Sequence, residues 1–284
     1  MQEQTAKRAQ GLQEVPERAD DAEGSPLAVT GIDPKDALRW SQLFEIPRER
    51  NPISNDDTGE IAVSNETLRG DTLYLAGNFG GETTREFEIS EGTHLIVPLI
   101  SNTERFLLNA SGPQKEQVPT PGEIAKIAQS FLLDNDPDNP SEEQPEIVVN
   151  RVFLEVDLGN DGKADYSLDT GVSGVTYNAD DNTVDFSGAV DPEKAEEFYV
   201  EPSERTVGVL KLPEGNVLDV PAGDVPAGNY RTVTNGYFAE VKLPEGTHTV
   251  RFGGDVALSD NPSVVIFNVD VTDTITVVDD SLLV

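Results

Sequence analysis

Residues 71–102 read DTLYLAGNFGGETTREFEISEGTHLIVPLISN. Three strands separated by glycine-rich turns fit this stretch. From Thr72 to Ala76, β-branched and aromatic residues cluster, a composition suited to a pleated, half-buried surface. Gly77, Gly80 and Gly81 then supply the permissive backbone of a turn. Between Thr83 and Ile89, only Phe87 and Ile89 give a clear apolar face. Thr83 and Arg85 share that alternating row without fitting it. After the turn Ser90-Glu91-Gly92, the run from His94 to Ile100 is almost wholly apolar, which suits a strand buried on both faces. Leu95, Val97 and Leu99 are expected on one face, with Ile96 and Ile100 on the other. Pro98 cannot donate to a ladder, so it implies an edge position, a bulge or the strand end.

The same stretch carries a resemblance. Trp40-Ser41-Gln42, Ile46-Pro47, Asn51-Pro52 and Asp57-Thr58-Gly59 precede it. Leu73-Tyr74-Leu75-Ala76-Gly77, Arg85-Glu86-Phe87 and the run from Glu91 to Asn102 lie within it. A second block runs from Asn235-Gly236-Tyr237-Phe238 through Leu243-Pro244-Glu245-Gly246-Thr247-His248 to Arg251-Phe252-Gly253-Gly254. In this order the residues resemble a widespread bacterial family, mostly of secreted proteins. Its pattern is a tryptophan-bearing helix, an Asn-Pro, an acidic-Thr-Gly, a "FLAG"-like strand, an Arg-x-Cys strand and a "PxGKxLFFPIxN"-like strand. A later "dGYfvmlxpLxpGxHtixfgG" segment completes it. The family has no established activity, so the resemblance implies a β-rich fold and an exported protein, and no reaction. Phe87 and a residue near Ala62 stand where that family usually carries two cysteines. A packed apolar contact is therefore implied in place of a bridge.

The 284 residues are enough for a real core in one large β domain or two small ones. Lys+Arg number 20 and Asp+Glu 53, a formal net charge of −33. That balance disfavours nucleic acid and anionic membrane as partners, because phosphate binding needs a cationic surface. Two settings fit it. One is high salt, where a short Debye length screens self-repulsion. The other is a calcium-rich exterior, where carboxylates bind hard cations. There is no cysteine, hence no disulfide framework and no thiol chemistry. No stretch has the length and apolarity of a transmembrane helix, and the first residues lack the apolar core of a signal peptide. A mature exported chain with an added Met1, or another route, is the expectation.

Along the chain, residues 1–30 are polar and charged and read as a flexible arm. Asp33 can cap a helix and Pro34 suits its first position. Ala37, Trp40 and Phe44 then share one face, and Pro47 closes the segment. Ile124, Ile127, Ala128, Phe131 and Leu132 form the stripe of a second amphipathic helix. Further strands are expected from Ile147 to Asp157, Ala164 to Leu168, Gly174 to Asn178 and Thr183 to Phe186. Others follow at Phe198 to Val200, Arg205 to Leu212, Asn216 to Val220, Ser263 to Val269 and Thr274 to Val278. Tyr237 to Leu243 and Thr247 to Phe252 read as a hairpin closed by Pro244-Glu245-Gly246. The sequence Glu-Gly-Thr-His occurs at 91–94 and 245–248, and Leu-Pro-Glu-Gly at 212–215 and 243–246. This echo reads as one turn solution reused.

Two acidic loops are candidate calcium sites. Asp157, Asp161 and Asp165 occupy the first, fifth and ninth positions of a loop with Gly162 at the sixth, a partial match to a calcium loop. The third position is Gly159 and the twelfth Leu168, and Asn160-Asp161-Gly162 is equally good hairpin chemistry. Asp134, Asp136 and Asp138 alternate after the second helix, but Pro137 and Pro140 intrude. There a solvated acidic linker is the competing reading. His94 and His248 each follow a Glu-Gly-Thr turn and read as structural residues at strand starts. No Gly-x-Ser-x-Gly, His-Glu-x-x-His or phosphate loop is present.

These readings predict a mainly β fold, an antiparallel β-sandwich or jelly-roll-like, with two flanking helices and about a dozen strands. A single β-rich domain is expected over residues 31–284. The expected function is a non-enzymatic structural or assembly protein of the cell exterior or surface. It would be stabilised by Ca²⁺ and form homo-oligomers or filaments through sheet edges or the arm. The alternatives are a secreted carbohydrate-binding or carbohydrate-active protein with polysaccharide as partner, and a soluble acidic protein of a halophile's cytoplasm.

Overall fold

The computed structural model describes residues 27–55, 58–108, 120–123, 147–170, 176–178, 183–185, 196–219, 225–258 and 264–279. The first half of the chain forms strands β1 (Ala28–Thr30), β2 (Leu68–Arg69), β3 (Thr72–Tyr74), β4 (Gly81–Ser90) and β5 (His94–Leu107), with helices α1 (Pro34–Ser41) and α2 (Pro52–Asn55). The second half forms β6 (Ile147–Leu158), β7 (Tyr166–Asp169), β8 (Thr176–Asn178), β9 (Thr183–Asp185), β10 (Tyr199–Val200) and β11 (Val207–Leu212). The three long strands β12 (Gly228–Lys242), β13 (Gly246–Leu258) and β14 (Val265–Val278) complete it.

Two sheets stack as a sandwich. The first runs β1-β12-β5-β3-β2, with β10 and β11 also paired to β12. The second runs β4-β14-β13-β6-β7, and β8 with β9 makes a separate ribbon. Leu95, Val97 and Val241 of the first sheet meet Val156, Phe252, Val271 and Ile275 of the second in one apolar core. Ala62 and Phe87 both lie in that core. The other face of the first sheet is covered as well. There Trp40, Leu43 and Phe44 pack on Tyr74, Ile96, Leu210 and Phe238. The first sheet is thus buried on both sides, which is why the run from His94 is apolar at nearly every position.

Helix α1 is built as its sequence implies. The Asp33 carboxylate accepts from the Lys35 backbone N–H at 2.9 Å, and Pro34 opens the first turn. The indole of Trp40 donates to the Leu75 carbonyl at 2.8 Å, tying the helix to the sheet. A 3-10 turn, Gln42–Glu45, extends it towards Pro47. The second amphipathic helix expected at 124–132 lies outside the described residues. The sheet also takes in residues 28–30 of the stretch read as an arm, because Ala28, Val29 and Thr30 pair with Lys242, Val241 and Glu240.

The topology corrects several expectations. Strands β12 and β13 do not pair as a hairpin; they belong to different sheets. The corner at Pro244-Glu245 carries the chain across the sandwich, with Gly246 at φ 127°. The corner at Glu91-Gly92 does the same between β4 and β5. Because strands alternate between sheets, β3 and β5 become parallel neighbours, as do β4 and β14. All other strand pairs are antiparallel among the described residues. Ile100 faces the sandwich core beside Leu99, not the helix side with Ile96. A bulge is the cause: Tyr237 pairs with Ile100 but Phe238 pairs with Pro98, so Leu99 is an extra residue and the alternation resets. Residues 217–219 form a 3-10 turn in place of a strand, nucleated by the Asn216 side chain accepting from the Leu218 N–H. Residues 265–278 form one strand where two were expected.

Candidate functional site

The acids at the hairpin between β6 and β7 are each bound to backbone. Asp157 Oδ1 accepts from the Asp161 N–H at 3.0 Å and its Oδ2 from the Gly162 N–H at 2.7 Å. Asp161 Oδ1 accepts from the Lys163 N–H at 3.0 Å. Asp165 Oδ2 accepts from the Leu158 N–H at 2.7 Å. Asn160, at φ 53°, is left-handed together with Gly159 and Gly162 at 81° and 83°, and its side chain accepts from the Thr249 hydroxyl. The three carboxylates therefore brace the turn from separate points. Among the described residues, no three of His, Cys, Asp or Glu stand together as a metal-binding group. Asp134, Asp136 and Asp138 lie outside the described residues.

Both histidines hold strand ends. His248 Nδ1 accepts from the Gly159 N–H at 3.1 Å, so Nε2 carries the proton and donates to the Pro244 carbonyl at 2.9 Å. It joins the β6–β7 hairpin to the corner before β13. His94 Nδ1 lies 2.5 Å from Glu240 Oε1, a contact across neighbouring strands β5 and β12.

The outer face of the second sheet carries a charge lattice over a buried ring. Phe153 sits beneath two guanidiniums, Arg151 at 4.6 Å and Arg251 at 5.1 Å from the ring centroid. It lies opposite Gly253 in the β6–β13 register, where a Cβ would come within 2.8 Å of the ring. Arg151 binds Asp169 and Arg251 binds Asp270, each through two hydrogen bonds, and Glu155 approaches Arg251 at 3.4 Å. Burial pushes the Asp255 carboxyl up; Arg151 opposes this, and Asp270 and Asp169 add to it by repulsion. Both arginines are thereby committed to acids already present.

The described residues leave one feature of another kind: an apolar strand edge without a neighbour. Strand β14 pairs with β13 on one side down to Val265. On its other side β4 accompanies it only from Val269, which is opposite Gly81. Gly80 and Gly81, at φ 104° and 91°, bend the chain away there. Asn78 fixes the bend, its amide donating to the Gly81 carbonyl and the Thr83 hydroxyl, both at 3.0 Å. The segment thus left open is Val264-Val265-Ile266-Phe267, exposed by 41, 45, 50 and 37%. Phe79, at the tip of the bend, is 41% exposed. Beside it Phe79, Phe267, Pro98 and Trp40 line a cavity of about 120 Å³.

Sequence reading missed this site. Val-Val-Ile-Phe has the same composition as a buried strand. Its exposure follows from where β4 ends, which depends on two glycines 180 or so residues away in the chain.

No protein-family model, curated protein or solved structure matches the chain. Among the described residues, no helix is long and apolar enough to cross a membrane.

Proposed function

We propose that the chain is a non-enzymatic assembly protein that joins a neighbouring chain by accepting a strand along the open edge of β14. The observation that carries this reading is the exposure of four consecutive apolar residues, Val264 to Phe267, on an edge with no strand beside it among the described residues. Such an edge offers unpaired N–H and C=O groups together with apolar side chains, the combination that templates strand addition. Proteins usually blunt such edges with lysine, proline, charge or a bulge; the residues from Val264 to Val269 carry no lysine, proline or charge, and a bulge at Ile266 is the one such device they show. The cavity beside Phe267 gives an incoming side chain somewhere to go. A place outside the cell rests on the resemblance to a secreted family and on the acidic composition.

The test is sedimentation of the purified chain over a concentration series in molar NaCl. Edge pairing predicts association in the wild type and none in Ile266→Lys or Ile266→Glu, with unfolding midpoints unchanged. Association that survives both substitutions would contradict it.

A further inference from the structure

We infer that the neighbour is a second copy of this chain, pairing its own Val264–Asn268 edge antiparallel to the first, and that ionic strength gates the pairing. This rests on the edge reading above. A chain with 53 acids and 20 bases repels its own copies at low salt. Two copies can therefore meet closely only where a surface carries no charge. The run from Val264 to Val269 is such a place, six residues without an ionisable side chain. An antiparallel pair about a two-fold axis at Ile266 sets Val264–Asn268 against itself, so every cross-strand pair is uncharged, and all but the two outer Val264–Asn268 pairs join β-branched or aromatic residues. Pairs of this kind stabilise a sheet, whereas like charges directly opposite destabilise it.

The surroundings supply the gate. Asn268 pairs with Asp255, and Asp270 pairs with Glu82, so acids crowd the sheet next to the open edge. The nearby guanidiniums of Arg151 and Arg251 are already held by Asp169, Asp270 and Glu155. A copy brought to this edge adds a second body of net charge −33, so the repulsion acts between whole copies and not between directly opposed acids. The contact itself is short. A bulge at Ile266 interrupts the β13–β14 register, with Val256 opposite Phe267 and Ala257 opposite Val265; bulges of this kind limit how far an edge can pair. A short apolar contact against a large like-charge repulsion is decided by screening. The Debye length falls from about 10 Å at 0.1 M salt to about 3 Å at 1 M.

The experiment uses the absence of cysteine from the chain. Ile266→Cys places one thiol at the centre of the edge. Val209→Cys, at a site 54% exposed on β11, is the control. Each is treated with a short bis-maleimide, whose two ends alkylate thiols, at low and at molar NaCl. The inference predicts covalent dimer from Ile266→Cys, increasing about tenfold or more between the two salts, and little from Val209→Cys at either. Dimer yield at position 266 that falls with salt overturns the gate. Absence of position-266 dimer, in a wild type whose association Ile266→Lys removes, overturns the two-fold pairing and leaves the edge reading standing. Equal yields from both variants overturn the pairing as well.

Discussion

Arg85 and Asp273, 188 residues apart, meet as a two-pronged ion pair inside the sandwich: Nε to Oδ1 at 2.7 Å and Nη2 to Oδ2 at 2.8 Å. Both are almost wholly buried, and Nη2 also donates to the Ala76 carbonyl at 2.8 Å. They face each other across the parallel β4–β14 pair. The bond therefore fastens β4 to β14 in the strand pair whose early end leaves the apolar edge open. Removing one partner strands a buried charge. Asp273→Ala should cost about 3–5 kcal/mol, as should Arg85→Ala, while the double replacement by apolar residues of similar volume should cost far less. Urea unfolding of the single and double variants checks this; additive losses would show that the two residues do not act as a pair.

Asp33 caps α1, and the Lys35 N–H bond holds its carboxyl below the ordinary aspartate range. Asp33→Ala should cost about 1 kcal/mol at neutral pH. Because the folded value is depressed, that contribution is present above the unfolded value and is lost as pH falls through the folded one. The difference between variant and wild type should shrink below pH 3.8, as read by thermal unfolding across the acid range.

Asp255 has the opposite sign. Its carboxyl is raised, first by burial. A raised acid weakens the fold once ionised, so its penalty is absent at low pH and grows as pH rises from 3.8 through the folded value. Asp255→Asn should raise the unfolding midpoint slightly at neutral pH and leave it unchanged in acid. A lower midpoint at neutral pH would mean that Arg151 gains more from the charge than burial takes away.

At the β6–β7 hairpin, both oxygens of Asp157 accept backbone N–H groups. Asp157→Ala should therefore lose about 1 kcal/mol with chelator present, the loss expected for a side-chain oxygen that satisfies turn N–H groups. A loss seen only with CaCl₂ added would assign that carboxylate to a cation.

Strand existence was legible where periodicity and turn chemistry agreed, as from Thr72 to Ile100 and from Ile147 to Asp169. The Trp40 helix was legible from its cap and its stripe. What sequence could not carry was partnership. Arg85 looked out of place beside Phe87 because its partner, Asp273, is far away in the chain. Asp273 in turn looked like a break between two strands, whereas it is an inward residue of one strand. Pro244-Glu245-Gly246 has hairpin composition, yet it turns a corner between sheets. The strands on both sides bury apolar rows that pack face to face, and each takes its hydrogen-bonded neighbours from its own sheet. The open edge was hidden for the same reason: apolar residues read alike whether a neighbour covers them or not.

The most direct measurement is amide hydrogen exchange along β14, in dilute solution at low salt and in concentrated solution at molar salt. Edge assembly predicts that residues 264–268 exchange fast when dilute and slow markedly when concentrated, while residues 269–278, already paired with β4, stay protected in both. Unchanged exchange at 264–268 in a sample that has demonstrably associated would contradict it and place the contact elsewhere.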